Sequence, residues 1–263
     1  MFASEMKRKS TPGFALLELV LVVAIIALIV GVAVFALNGS KKSNKNSDAE
    51  KSKTPALQND TLILKNLGVA SLDSVAVDPA ATRDFTASGH KGLYVFGDIL
   101  PGTPVRQNPN FEFASMKEGT ELISALDGIV AFIRQQPETN DYEVFIAPSE
   151  QSQWVVGYDH VVNLVVKKGD KVKAGQKVGK PARQNNGLLR YELQINKGKD
   201  DNALSICPST LLDSSVRPTI LAQLSAIQTQ WESVSGLELY NVASQDPIGC
   251  IKKQLTPAEA SGT

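Results

Sequence analysis

A chain of 263 residues with 27 Lys+Arg against 27 Asp+Glu carries no formal net charge. That balance, without any basic stretch interleaved with aromatics, excludes a nucleic-acid-binding design. No glycine loop fits a phosphate, since Gly169, Gly175 and Gly179 are spaced for a hairpin, and no cofactor is expected.

Residues 14–37 read FALLELVLVVAIIALIVGVAVFAL, with Glu18 the only charge. About 20 apolar residues match the hydrocarbon core of a bilayer. The run is too long for a cleavable secretory signal, and no small-residue cleavage site follows it. A carboxylate inside such a helix costs a few kcal/mol and so points to a partner or a function. Lys7, Arg8 and Lys9 precede Gly13-Phe14, and Glu18 follows Phe14 by four positions. This pattern resembles the type IV pilin and pseudopilin signal. The resemblance implies cleavage by a prepilin peptidase between Gly13 and Phe14, methylation of Phe14, and pairing of Glu18 with a neighbouring subunit's N-terminus. A plain signal anchor with an interfacial glutamate is the simpler alternative.

True pilins continue that helix beyond the membrane as an amphipathic half. Here Asn38-Gly39-Ser40 is followed by KKSNKNSDAEKSKTP, which has almost nothing to bury and reads as a flexible linker. Lys41, Lys42 and Lys45 lie close to the helix, so loop charge alone does not set its orientation. The leader and the cysteines place the N-terminus in the cytoplasm, the helix in the inner membrane and the remainder in the periplasm or outside the cell. The expected parts are a leader over 1–13, a transmembrane helix over 14–38, a linker over 39–60, a β domain over 61–212, and a C-terminal helix and tail over 213–263. About 200 residues thus remain for one domain, long enough for a sizeable core.

From Thr61 onward, short apolar runs alternate with turn residues. LYVFGDIL (93–100), ELISALDGIVAFI (121–133), YEVFIA (142–147), QWVVGYDHVVNLVV (153–166) and LLRYELQI (188–195) read as strands or strand pairs. Asp127-Gly128, Lys168-Gly169-Asp170, Ala174-Gly175 and Asn186-Gly187 supply turns between them. The expectation is a mainly β fold with an antiparallel sheet. One helix is expected over 217–234, where Ile220, Leu221, Leu224, Ile227 and Trp231 recur at helical steps. Cys207 and Cys250 are too far apart for a zinc motif. Outside the cytoplasm they read as one disulfide, with two buried thiols as the alternative.

Several segments, in order, resemble lysostaphin-type (LytM-like) zinc metallopeptidases. These are GTELISALDGIVAFI, Tyr158-Asp159-His160-Val161, the hairpin VKKGDKVKAGQKVGK (166–180), Arg190-Tyr191-Glu192-Leu193 and Cys207-Pro208. The Gly-Asp-x-Val-x-x-Gly hairpin also occurs in biotinyl and lipoyl carriers, but the flanking segments favour the peptidase fold. The resemblance implies zinc held by H-x-x-x-D and the second histidine of H-x-H, with two further histidines assisting the bound water. Those positions fall on Asn108, Glu112, Leu188 and Arg190, and His160 matches a water-assisting histidine. Leu188 has no ligand atom, and Arg190 is a permanent cation. The expectation drawn from this is a metal-free, non-enzymatic module with His160 hydrogen-bonded on the sheet and Arg190 paired with Glu112 or Glu192. It would bind cell-wall peptide (peptidoglycan) or a cell-envelope protein partner. The alternatives are an active zinc endopeptidase with unusual ligands, and a minor pilin or pseudopilin of a pilus or secretion apparatus.

Overall fold

The computed structural model describes residues 61–75, 91–100, 103–185, 187–198 and 202–262. The expected leader, membrane helix and linker, with Gly13, Phe14 and Glu18, lie outside the described residues, as does His90. Among the described residues no helix is long and apolar enough to cross a membrane.

The strands are β1 (Leu93–Tyr94), β2 (Ile99–Leu100), β3 (Arg106–Gln107), β4 (Asn110–Met116), β5 (Leu122–Ile123), β6 (Gly128–Gln136), β7 (Asp141–Ala147), β8 (Trp154–Val162), β9 (Lys171–Val172), β10 (Lys177–Arg183), β11 (Leu189–Lys197), β12 (Leu204–Ile206) and β13 (Gln254–Leu255). The helices are α1 (Arg217–Ser235) and the single-turn α2 (Pro257–Ser261). The main sheet runs β1-β4-β11-β10-β8-β7-β6-β9, and β11 also pairs directly with β8. Its long ladders are antiparallel, as expected for short strands joined by tight turns.

Alternation with period two sorts the long strands into two faces. Phe111 and Phe113 of β4, Val156 and Tyr158 of β8, and Tyr191, Leu193 and Ile195 of β11 are buried in one apolar core. Residues between them, such as Glu112, Asp159, Arg190 and Gln194, face the other way and are only partly buried. Tyr158 keeps its phenol in the core because its oxygen accepts a hydrogen bond from the Ala125 N–H at 2.6 Å.

Some runs read as single strands are broken. Residues 93–100 split into β1 and β2 because Gly97 turns the chain at φ 84°. The run 153–166 leaves the ladder after Val162, where Asn163 takes φ 52°.

The C-terminal corner is held in three ways. Helix α1 begins with Pro in its first turn and stops at Gly236, which adopts the left-handed conformation. It buries Ile220, Leu224, Ile227 and Trp231, while Leu221 is partly buried. The Trp231 ring lies so close to Gly92 that a Cβ there would fall 1.9 Å from its Cζ2. Gln228 and Gln245, both buried, exchange amide hydrogen bonds of 3.0 and 2.9 Å, and Gln245 also accepts from the Gly249 N–H. Beside this network Cys207 and Cys250 form a disulfide, with Cα atoms 5.9 Å apart. The expected bridge is therefore present.

Candidate active site

The polar face of the sheet carries a row of charged side chains that runs across the strands. Register explains the row. Tyr94 of β1 lies opposite Glu112 of β4, Glu112 opposite Glu192 of β11, and Glu192 opposite Asp159 of β8. On the far side of β8, Glu143 of β7 lies opposite Arg134 of β6. Lateral neighbours on one face stand close enough to interact directly.

A β-bulge sits at the centre. Tyr142 pairs with Val161 and Val144 with Tyr158, so Glu143 alone faces both Asp159 and His160. His160 absorbs the extra residue by taking a left-handed φ of 59°. Strict alternation would send Asp159 and His160 to opposite faces. The bulge instead brings them together: the Asp159 carboxylate accepts from the His160 backbone N–H at 2.6 Å and lies 3.9 Å from its Nε2. At the same place β8 exchanges partners, from β11 at Asp159 to β10 at Val161. The row therefore crosses the fork of the sheet.

His160 is held on both sides. Its Nδ1 lies 2.8 Å from the buried carboxylate of Asp141, which also accepts from the Thr139 hydroxyl at 2.6 Å. Its Nε2 points toward Glu192 Oε1 at 3.5 Å. The two carboxylates, Asp141 on Nδ1 and Glu192 toward Nε2, hold the plane of the ring. Burial works against charge on the imidazole, but the hydrogen bond to Glu192 and the charge of Asp159 outweigh it and lift its pKa to about 9.

The carboxylates split in the same field. Burial, then the neighbouring Glu192, push Glu112 up to about 7 against the pull of Arg190. Burial, then Asp159, push Glu143 up to about 7, although it is ion-paired with Arg134. Glu192 is buried, which opposes ionisation. Its bonds to His160, Arg190 and Asn110 prevail and lower its pKa. Arg190 bridges the pair, with Nε 3.0 Å from Glu112 Oε1 and a terminal nitrogen on Glu192.

The positions at which the resemblance places zinc do not fit an ion. Asn108 is buried, its Nδ2 faces the Tyr94 and Val95 carbonyls at 3.4 and 3.3 Å, and its Oδ1 accepts from the Asn110 N–H. Glu112 is engaged by the guanidinium of Arg190. Leu188 precedes β11 and offers no donor. A different set does fit. One ligand atom each from Asp141, Asp159 and His160 lie within 4.8 Å of one another. Two carboxylates and an imidazole are hard and borderline donors suited to zinc or manganese. Asp141, Glu143 and Arg134 were not singled out in the sequence. Asp141 hides in the turn-prone Thr139-Asn140, while the alternation of YEVFIA does point Glu143 away from the core.

Residues 112–202 match the model of Peptidase family M23. Residues 112–202 are thus similar to the M23, LytM-like peptidase domain. The chain is also 28% identical over 134 residues to the peptidoglycan DD-endopeptidase ShyA of Vibrio cholerae serotype O1, which covers 50% of this chain and 30% of that protein. The chain therefore spans under a third of that relative's length. Among solved structures, the lysostaphin catalytic domain of Staphylococcus simulans superposes with a TM-score of 0.35 at 20% identity, covering 40% of this chain and 79% of that one. The SpoIIQ–SpoIIIAH pore-forming complex gives 0.38 at 14% identity, covering 58% and 92%. The sequence matches correct one expectation. A module with no enzymatic role is overturned by a peptidase-family match, an endopeptidase relative and a metal-capable trio in the groove. The error came from judging the site only at the family's own ligand positions and overlooking the bulge beside them.

Proposed function

We propose that the domain hydrolyses peptide bonds of peptidoglycan, using a metal trio displaced by a short distance across the sheet. The observation that carries this reading is that one ligand atom each from Asp141, Asp159 and His160 lie within 4.8 Å of one another. Asp141, Asp159 and His160 would hold the ion, which would take the place of the hydrogen bond between Asp141 and Nδ1. Zinc bound there would supply an activated water and polarise the scissile carbonyl.

The chain's own residues account for the rest. Glu112, with a pKa of about 7, exchanges its proton near neutral pH and suits a general acid or base. Arg190 holds Glu112 and Glu192 in place. Because His160 stays protonated up to about pH 9, a metal must displace that proton, so uptake strengthens as pH rises. The anchor signal complements this reading: with Gly13, Phe14 and Glu18 processed as in pilin-like proteins, the domain would be tethered at the inner membrane facing the wall. Pilus or secretion subunits and a prepilin peptidase would be its partners.

The test is the zinc content and activity of the purified full-length chain. After equilibration with zinc at pH 8 and desalting, about one equivalent is expected, with release of soluble fragments from purified sacculi. His160→Ala and Asp159→Asn should abolish both. A chain that retains no zinc and releases nothing would sink the reading.

A further inference from the structure

The last strand on the sheet path, β9, belongs to a hairpin closed by the hydrogen bond from the Val165 N–H to the Val178 carbonyl, and that hairpin is rich in lysine. Lys173 and Lys177 are ion-paired with Asp127 and Glu121, and the Asp170 carboxylate accepts from the Lys167 backbone N–H. Lys167, Lys168 and Lys171 are exposed and have no ion pair among the described residues. Five lysines thus stand against three carboxylates, with the surplus at the turn around Gly169 and the start of β9.

Lysines on an edge strand commonly keep other strands from pairing there. That role covers Lys171 of β9. It does not cover Lys167 and Lys168, which precede the strand, or the aliphatic side chains left in water beside the lysines. Val165, two residues before Lys167, is 58% exposed, and Ile63, two residues before Lys65, is 49% exposed. Lys65 belongs to the same edge. Its N–H donates to the Ala125 carbonyl, next to Ser124, which exchanges backbone hydrogen bonds with Gly175 and Gln176 of the hairpin. The chain therefore enters the described domain, at Thr61, beside the lysine hairpin.

We propose that this edge docks on the anionic headgroups of a bilayer, with Lys167, Lys168 and Lys171 as its charges and Val165 and Ile63 as its apolar contacts. This rests on the tether reading above, in which residues 14–37 lie in that bilayer, and not on the hydrolase reading. A linker of the length of residues 38–60 spans about 26 Å, so the edge at its end is held within reach of the surface. Lysines are drawn to an anionic leaflet, and aliphatic side chains among them settle into the headgroup boundary. The aliphatics select a bilayer over a soluble acidic polymer, which offers charge alone. Contact through an edge leaves the polar face of the sheet, with Glu112, Glu192 and Asp159, uncovered.

The experiment places one tryptophan on this edge of the full-length chain, Val165→Trp, and reads its quenching by brominated phosphatidylcholine after reconstitution into vesicles. Trp154 and Trp231 are buried and supply a constant background. Vesicles of phosphatidylcholine alone are compared with vesicles containing one third phosphatidylglycerol. Quenching is expected in the anionic vesicles only, and high salt should remove it. Lys167→Gln, Lys168→Gln and Lys171→Gln together should lower the ratio of docked to free domain about a hundredfold, at about fivefold per lysine. Val105→Trp, in the β2–β3 hairpin that leads into β4, should stay unquenched. Equal quenching in neutral and anionic vesicles, equal quenching at Val105→Trp, or no loss in the triple variant would overturn the docking edge. No quenching in the anionic vesicles, with lysine-dependent binding of soluble poly-L-glutamate, would make the edge a polyanion site and likewise defeat the proposal. Flotation with neutral vesicles after a carbonate wash reports on the tether separately. Attachment there without quenching in the anionic vesicles sinks the docking edge alone, and lysine-dependent attachment to anionic vesicles only sinks the tether alone.

Discussion

On one side of β11, Tyr191, Leu193 and Ile195 are buried against Phe111, Phe113, Val156 and Tyr158. On the other side of the same strand, Glu192 is buried and Arg190 half-buried, yet both carry charges that water would otherwise solvate. The backbone ladder is common to both sides, so the difference lies in the side chains. The core side gains from every apolar contact. The site side costs desolvation that its ion pairs only partly repay. Stability is thus supplied from one face and spent on reactivity on the other, where Glu112 and Glu143 titrate near neutrality.

The largest effect should come from the core side. Leu193 is fully buried, so Leu193→Ala should lose about 3 kcal/mol, within the usual large-to-small range. Urea unfolding with an unchanged slope would report it. A loss under about 1 kcal/mol would mean that the site face contributes more than this comparison allows.

A smaller effect is expected from Arg190→Leu. It leaves Glu112 and Glu192 facing each other without their cation, and breaking a pair of this kind costs about 2 kcal/mol when, as here, one carboxyl can take up a proton instead. The double variant Arg190→Leu, Glu112→Leu should recover most of that loss, because it removes the buried charge together with its partner. A double-mutant cycle measures the difference. If the double variant is as unstable as the single one, the pair is a net stabiliser and the two faces are less different than they look.

Much of the core side was legible in the sequence, and the site side only in part. The alternation in LLRYELQI separates Tyr191, Leu193 and Ile195 from Arg190, Glu192 and Gln194 without any structure. The helical spacing of Ile220, Leu224, Ile227 and Trp231 was equally open to reading. The bulge at His160 was not, because Tyr158-Asp159-His160-Val161 has no glycine or proline to mark it and its left-handed residue is a histidine. Asp141 was missed because a strand that starts inside a polar turn looks like loop. The transverse row depends on register between β4, β11, β8, β7 and β6, which is set by turns and bulges rather than by composition.

Between about pH 5 and 9 the pH dependence of stability should report on the site side, since the core side does not titrate there and Asp213, Glu259, Glu121 and Asp127, held low by their partners, titrate only in more acid solution. Below about pH 6.5 His160 is protonated in the folded and the unfolded chain alike, and its attraction to Glu192 and Asp159 contributes in full. As pH rises toward its folded value of about 9, that contribution is lost. Glu112 and Glu143, raised to about 7, act in the same direction at lower pH: between about 4.5 and 7 the folded chain binds more protons than the unfolded one, so stability falls as pH increases. Glu192 opposes them on the acid side, since its lowered pKa contributes stability that disappears on acidification. The thermal midpoint should therefore peak near pH 5 and decline steadily to pH 9. In His160→Gln the upper part of that decline should flatten, while Leu193→Ala should lower the whole curve without changing its shape. A midpoint that climbs between pH 6 and 9 in the metal-free chain would mean that His160 is held neutral, and that Asp141 and Glu192 do not act on it as their distances imply.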